Sequence, residues 1–550
     1  MRVALWLILG TLCSIVPQSI QAACGCGTTT GHRTSLLPPT SRLCRDTMIK
    51  TGASCCPCPC GPIFAGLSGS SGQCKECTST TTTNNCCDIG DIAIGSSSVD
   101  NNALDTMYTI TAAGKYFLST NITLNPNNNN VTYLKITADC VDLNLNGLCI
   151  KQGNSATGIV AIKVNPGLKE VTIRNGAILN INGTGIQLNG SSISSLSTII
   201  VQNMDIYGCS FEGLLGTYLE NSLISCLHVT HCNGTHAGAI GAIGMRLDRA
   251  TRVSLCDSIF NNNQGSTSVL GAGMYLTNCA ECTIDDCTAS NNWGANAYGF
   301  CLTSTITTNS PSSCNTFRNS SAEMNKSLST AAQSAAYGFY INNSAYTTVF
   351  QSKACGQKST SGPNDTHAYG FYSSASINTI FDQCYAAGNV GNGHSVNAVG
   401  AGFALENGDR FGTITESSSI ANNILSPAGG TGYGIKLGGA PGTGNTVNAT
   451  VSCNLMNNNG GTRTYGYKDF AACSTTLLQG NTAYGQGKTL TSGSGTITDT
   501  GNHNYVFSYT GAPSNARPDK VIREVTNGNL CAVDCCACPL TNLSINEVCP

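Results

Sequence analysis

The chain has 550 residues, of which 10% are charged, and its formal net charge is −2. Charge this sparse and balanced excludes the basic footprint of a nucleic-acid or anionic-membrane partner. With 41% hydrophobic residues it still holds enough apolar side chains for a packed core, which sets it apart from charge-rich disordered chains.

Residues 1–22 read as an export signal. Arg2 supplies the positive start, Val3 to Val16 is mostly apolar, and Ala22 or Ala23 ends a cleavage region. The run is too short for a transmembrane helix, and no other run is longer. The expected location is secreted, extracellular or cell-surface. Ala22-Ala23-Cys24 also carries the small residues of a lipoprotein site, which Gln21 fits poorly.

Residues 23–90 are dense in cysteine, with Cys55, Cys56, Cys58 and Cys60 around two prolines, a Cys74-x-x-Cys77 pair, and Cys86-Cys87. In an exported chain, disulfides are the default reading of such a segment, and a small apolar-poor segment needs such staples to fold. Zinc is the competing reading of Cys74 and Cys77. The whole chain has 32 cysteines, and loss of Cys13 with the signal leaves an odd number. One free thiol, one lipidated Cys24 or one intermolecular bridge would resolve the imbalance.

Residues 91–505 carry a repeat. Phe117 to Ile122, Val131 to Ile136 and Val141 to Leu145 alternate as strands do. From Gly158 a glycine followed by an apolar residue recurs at near-regular intervals. Gly338, Gly370, Gly402, Gly434 and Gly466 are each 32 residues apart. Gly244-Met-Arg-Leu247, Gly299-Phe-Cys-Leu302 and Gly402-Phe-Ala-Leu405 are typical. A second strand follows, often opened by threonine as at Thr316, Thr348 and Thr413. Asn-rich runs such as 261–263, 291–292, 422–423 and 457–459 read as turns, because asparagine tolerates the left-handed backbone. Short strands, no helical period and Asn/Gly corners predict an all-β solenoid: a right-handed parallel β-helix whose Gly-Phe, Gly-Met and Gly-Ile positions stack into an inner ladder. A β-propeller is the alternative, with longer repeats of four strands each.

On this repeat length and strand-turn composition, the chain resembles the pectin-lyase-like superfamily of right-handed parallel β-helices. That superfamily includes pectate lyases, polygalacturonases, alginate epimerases, phage tailspikes and noncatalytic surface proteins, so the resemblance implies a fold without choosing a function. Asp285-Asp286-Cys287 echoes part of a polygalacturonase motif, but Asn291-Asn292-Trp293-Gly294 stands where its Gly-His-Gly element belongs.

Residues 506–550 leave the repeat and end in Cys531, Cys535, Cys536, Cys538 and Cys549. Their Cys-Cys-x-Cys-Pro pattern matches that at Cys55 to Pro59. The two clusters are candidates for intermolecular cross-links, or for intrachain bridges that tie down two caps. Cysteines inside the repeat, among them Cys209, Cys232, Cys256, Cys287, Cys314, Cys355, Cys384 and Cys453, fit either bridges between coils or small buried thiols.

Scarce charges single out Arg246, Asp248 and Arg249 in one coil and Asp285 and Asp286 in the next. These are candidates for a catalytic groove, set against a solvated ion-pair patch. Tyr298, Tyr337, Tyr369, Tyr433 and Tyr465 precede repeat glycines and form a candidate carbohydrate-binding stripe or a packing row. Cys226, His228, His231 and Cys232, with His236 nearby, form either a metal site or a polar solvent face. The expectation is a secreted structural or adhesive rod with disulfide-rich ends, partnered with itself or with envelope polysaccharide. The alternative is a polysaccharide-acting enzyme or a noncatalytic carbohydrate binder. No cofactor is expected, apart from calcium if the protein is a lyase.

Overall fold

The computed structural model describes residues 91–505 except 235–239, 306–311, 330–333, 360–365, 393–397, 425–430, 439–448, 458–462, 470–474, 480, 485–487, 492–495 and 501–502. The architecture is a parallel β-solenoid, and every strand pairing between its coils is parallel. A 14-stranded sheet takes its strands from successive coils in chain order, and a 26-stranded sheet and smaller sheets close the other sides. No described helix is long and apolar enough to cross a membrane.

One coil shows how the sequence bends the chain. Gly241–Asp248 belongs to the 14-stranded sheet. Arg249 and Arg252 then take left-handed φ of 53° and 54°, turning the chain into the short strand Ser254–Cys256. Asp257, at φ 51°, makes the next bend into Ile259–Asn261, and Asn262, at φ 55°, turns the chain back toward the 14-stranded sheet. Equivalent bends recur coil after coil, at Asp286, Asn319, Gln351, Gln383 and Glu416 for one corner and at Asn291, Met324 and Ala421 for another. Each left-handed residue costs a little backbone energy, and asparagine bears it best.

The interior is built of ladders. Ile186, Leu214, Met245, Met274, Phe300, Phe339, Phe371, Phe403 and Ile435 follow each other in register and are buried. The phenylalanine rings stack at 4.8 Å, 4.9 Å and 4.9 Å, close to the spacing of adjacent strands. This is the ladder expected from the Gly-apolar repeat. The glycine has its own reason. A Cβ on Gly370 would stand 2.7 Å from the Gly402 carbonyl oxygen and 2.9 Å from Ala386 Cβ across the core. Gly299 faces Ala322 and Gly338 faces Ala354 in the same way. The core is too narrow there for any side chain.

The Asn-rich runs differ from expectation. Among the described residues of those runs, only Asn262 and Asn291 take the left-handed corner conformation. Asn263, Asn292, Asn325, Gln357, Asn389 and Asn422 are fully buried and form an amide ladder inside the solenoid. Asn292 Nδ2 donates to Asn325 Oδ1 at 3.0 Å, and Asn325 Nδ2 donates to Gln357 Oε1 at 3.0 Å. The same oxygens accept the backbone N–H of Asn292 and of Asn325. A corner takes the chain out of regular strand pairing and leaves N–H groups orphaned, and the buried amides satisfy them.

Six of the cysteines described inside the coils follow the buried-thiol reading, whereas Cys355 is disulfide-bonded. Cys209, Cys232, Cys279, Cys282, Cys301 and Cys384 are buried free thiols. Cys279 Sγ donates to Thr277 O at 3.4 Å and Cys384 Sγ to Val349 O at 3.3 Å. All but Cys301, which lies on the outer side of the 14-stranded sheet, fill inward corner positions that serine and asparagine fill in other coils.

Two substitutions test this core. Asn325→Leu leaves the buried N–H of Asn292 without an acceptor and should cost about 2–4 kcal/mol in denaturant unfolding. Gly370→Val drives a side chain into the Gly402 carbonyl and should cost about 1–3 kcal/mol or more. Unchanged unfolding midpoints would contradict the ladder and the close approach respectively.

Candidate functional site

The repeat lines up outward residues as strictly as inward ones. On the outer side of the 14-stranded sheet, three rows run along the solenoid. The first holds Tyr298, Tyr337, Tyr369, Ala401 and Tyr433. The second holds Arg246, Tyr275, Cys301, Tyr340, Tyr372, Ala404 and Lys436. The third is hydrophilic: Asp248, Thr277, Thr303, Asn342, Ser374 and Glu406. Alternation slips at the glycine, which turns inward together with the apolar residue after it. Tyr298 and Cys301 therefore share the outer face.

The tyrosines pack on one another. Tyr298 stacks on Tyr337 at 5.3 Å, Tyr337 on Tyr369 at 5.5 Å and Tyr340 on Tyr372 at 5.4 Å. Tyr337 and Tyr340 meet edge to face at 4.7 Å. Tyr337, Tyr340, Tyr369, Tyr372 and Tyr433, with Val399, Ala401 and Ala404, make an apolar cluster separate from the inner core. Tyr369 is 3% exposed and Tyr433 is buried beside it, whereas Tyr275, Tyr298, Tyr337 and Tyr340 are half-buried. Burial pushes the phenols of Tyr298, Tyr337 and Tyr369 well above their ordinary pKa. They are hydrogen-bond donors at neutral pH, not phenolate bases.

Charges flank the tyrosines. Lys436 Nζ lies 2.5 Å from Glu406 Oε1, both largely buried, and its ammonium stands 5.9 Å from the Tyr433 ring centroid. Arg246 Nη1 lies 3.5 Å from Glu212 Oε1. Asp248 accepts from Asn278 Nδ2 at 3.5 Å. Such ion pairs in aromatic surroundings are costly to desolvate and are weak evidence for stability alone.

The candidate residues are thus divided among places. Arg246 and Asp248 share the outer face with the tyrosine rows. Arg249 sits at the corner, hydrogen-bonded to the Tyr218 hydroxyl with its guanidinium over that ring. Asp285 and Asp286 belong to the 26-stranded sheet and its corner, so they do not join Arg246 in one groove. Asp285 is 1% exposed and held by Arg318 Nη2 at 2.8 Å, Arg318 Nε at 3.3 Å and Asn319 Nδ2 at 3.1 Å. Burial and then the charges of Asp285 and Asp257 push the Asp286 carboxyl up to about 6. Linear distance hid this separation, because one coil visits every face.

His228 points outward with Nδ1 3.3 Å from Asp205 Oδ1, while Cys232 lies inside, below Asn263 in the amide ladder. No group of metal-ligating side chains gathers among the described residues. The side chain of Tyr465, His236, the signal segment and the cross-link candidates Cys55, Cys56, Cys58, Cys60, Cys86, Cys87, Cys531, Cys535, Cys536, Cys538 and Cys549 lie outside the described residues.

Reading by charge alone passed over Glu406, Lys436 and Asp409. The signal for the first two was their place one strand apart in the repeat. Asp409 lies within the solenoid, where its Oδ1 accepts from Ser376 N–H at 2.6 Å and the Ser373 hydroxyl at 3.2 Å. Burial overrides those bonds and pushes the carboxyl up to about 8.

No protein-family model and no curated protein matches the sequence. Among solved structures, the chain is similar to the A-module of the Azotobacter vinelandii mannuronan C-5 epimerase AlgE6, at TM-score 0.39 and 14% identity over 71% of this chain and 90% of that one. It is similar to a periplasmic alginate epimerase AlgG variant at TM-score 0.38 and 8% identity, covering 73% and 76%. A mannuronic acid specific family 6 polysaccharide lyase from human gut microbiota gives 0.34 and 10%, covering 71% and 84%. The likeness is one of fold.

Asp409 supplies a pH test. Its folded pKa lies above the unfolded one, so the stability it permits is complete below about pH 4 and is lost as pH rises toward about 8. Asp409→Asn keeps the accepting oxygen and removes the charge. Its melting temperature should exceed the parent's by a few degrees near pH 8 and match it near pH 4. Equal melting temperatures at both values would contradict the assignment.

Proposed function

We propose that the protein recognises a polysaccharide along the outer face of its 14-stranded sheet, over the accessible stretch from Arg246 and Asp248 to Tyr337 and Tyr340. One observation carries this reading: a row of stacked tyrosines runs beside a row of Asp248, Thr277, Thr303, Asn342, Ser374 and Glu406 at the same repeat. The stacked rings offer apolar edges and hydroxyl groups to a sugar chain, and carboxylates, amides and hydroxyls take its hydroxyl groups. A face of like positions repeated coil by coil suits a polymer of like units. The protonated phenols add donors along the path.

The expected structural rod with cross-linked ends draws on the terminal cysteine clusters. The face described here favours the polysaccharide reading over it. The coil-by-coil register of the 14-stranded sheet presents such a face, and turnover is a further outcome to be measured.

Affinity gel electrophoresis against a panel of neutral and acidic polysaccharides tests the proposal. At least one polymer should retard the protein. Tyr298→Ala and Tyr337→Ala should each weaken that retardation by about tenfold, equivalent to about 1.4 kcal/mol. Tyr346→Ala, at an exposed corner elsewhere, should leave it unchanged. Equal retardation of all the variants would refute the tyrosine face as the binding surface. New reducing ends or an unsaturated product in the same mixtures would add catalysis to recognition.

A further inference from the structure

The buried amide ladder has an outward consequence on another side of the solenoid. Trp293, Lys326 and Lys358 each follow a ladder amide and turn outward, and they are successive register partners in the 5-stranded sheet. Their backbones are fixed. Trp293 N–H donates to Asn263 O at 3.0 Å, Lys326 N–H to Asn292 O at 2.9 Å and Lys358 N–H to Asn325 O at 2.9 Å. The residues that follow, Gly294, Ser327 and Ser359, are buried. The indole is half-buried and both lysines are exposed.

Two ammonium groups on facing positions of adjacent parallel strands repel each other. In a chain with only 10% charged residues, such a pair is costly to keep. No carboxylate shares their row, where Gln264 and Val390 are the register neighbours at either end. Glu323 on the adjoining strand is taken by Lys353 at 3.1 Å. Met324, 37% exposed and in the left-handed conformation at φ 53°, adds an apolar surface two residues before Lys326. Two lysines in register with a tryptophan, on fixed backbones and with no carboxylate in their row among the described residues, suit a ligand that brings a ring and an anion together.

We infer that Trp293, Lys326 and Lys358 form a subsite for an anionic sugar unit, its ring against the indole and its sulfate or carboxylate between the two ammonium groups. The inference rests on the polysaccharide reading for the class of ligand. It places a second contact on a different side of the solenoid from the tyrosine rows.

The indole is its own reporter, since Trp293 and Trp6 are the chain's only tryptophans. The full chain carrying Trp6→Phe is titrated with a sulfated hexasaccharide, a uronate hexasaccharide and a neutral glucan hexasaccharide, following tryptophan fluorescence. An anionic hexasaccharide should shift the emission, more strongly at low salt, and the neutral one should not. Whichever anion binds tighter identifies the group held between the lysines. Lys326→Gln and Lys358→Gln should each weaken the response by about fivefold, as for an exposed charge contact of about 1 kcal/mol. Both side chains are exposed, so melting temperatures should stay at the parent value. Emission unchanged by both anionic hexasaccharides overturns the subsite, as does an unaltered response in the double variant. Tyr298→Ala separates the two proposals. A response that survives that substitution while polysaccharide retardation also stays unchanged leaves this subsite standing and removes the tyrosine face.

Discussion

A buried amide has no water to turn to, and in this solenoid it turns to the next coil. The Asn263–Asn292–Asn325–Gln357–Asn389–Asn422 ladder satisfies both the side-chain amides and the backbone N–H groups that a corner leaves without strand partners. A slip of one residue between coils would leave each of these groups unpaired in the core, at a cost of about 1–3 kcal/mol apiece. Register is therefore held by polar groups at the corner as well as by apolar contacts along the strands. The phenylalanine stack can tolerate a change of ring tilt, whereas the amides cannot tolerate a change of partner.

A locked register makes the outer surface a lattice. Every outward position repeats over its equivalent one strand spacing away, so a single choice of residue type becomes a row. The same mechanism lines up tyrosines on one side and lysines above a tryptophan on another. Charge is used sparingly within these rows. Asp285 and Arg318 neutralise each other with bidentate geometry and an added amide, an arrangement suited to holding two coils together. Glu406 and Lys436 stand instead beside the tyrosine rows, with the Lys436 ammonium near the Tyr433 ring. The contrast between the two pairs is one of surroundings.

Much of the architecture was legible in the residues because the repeat glycine has a steric cause. Where the two walls of the solenoid come closest, Gly299 faces Ala322 and Gly370 faces Ala386, and no larger residue fits. A steric necessity that recurs each coil leaves a periodic mark on the chain. The Asn-rich runs were legible as corners but not as what the corners hide. Asn291 and Asn292 are neighbours, yet one bends the backbone at positive φ and the other is wholly buried. Gln357 in the same ladder was the available clue, since glutamine is a poor turn residue and a good amide donor.

The amino-acid sequence by itself determined the solenoid class, the strand-turn rhythm and the inner apolar ladder, because these follow from periodic size and polarity along one chain. Only the tertiary structure decided which polar residues meet. Arg246 and Asp285 are close in sequence and lie on different sheets, while Tyr298 and Tyr369 are far apart and belong to one packed row. Left-handed residues between the short strands, and the glycine slip within the long ones, reset the alternation of side chains several times in each coil. The face a residue finally occupies depends on the sum of those resets, and that sum is a property of the closed coil.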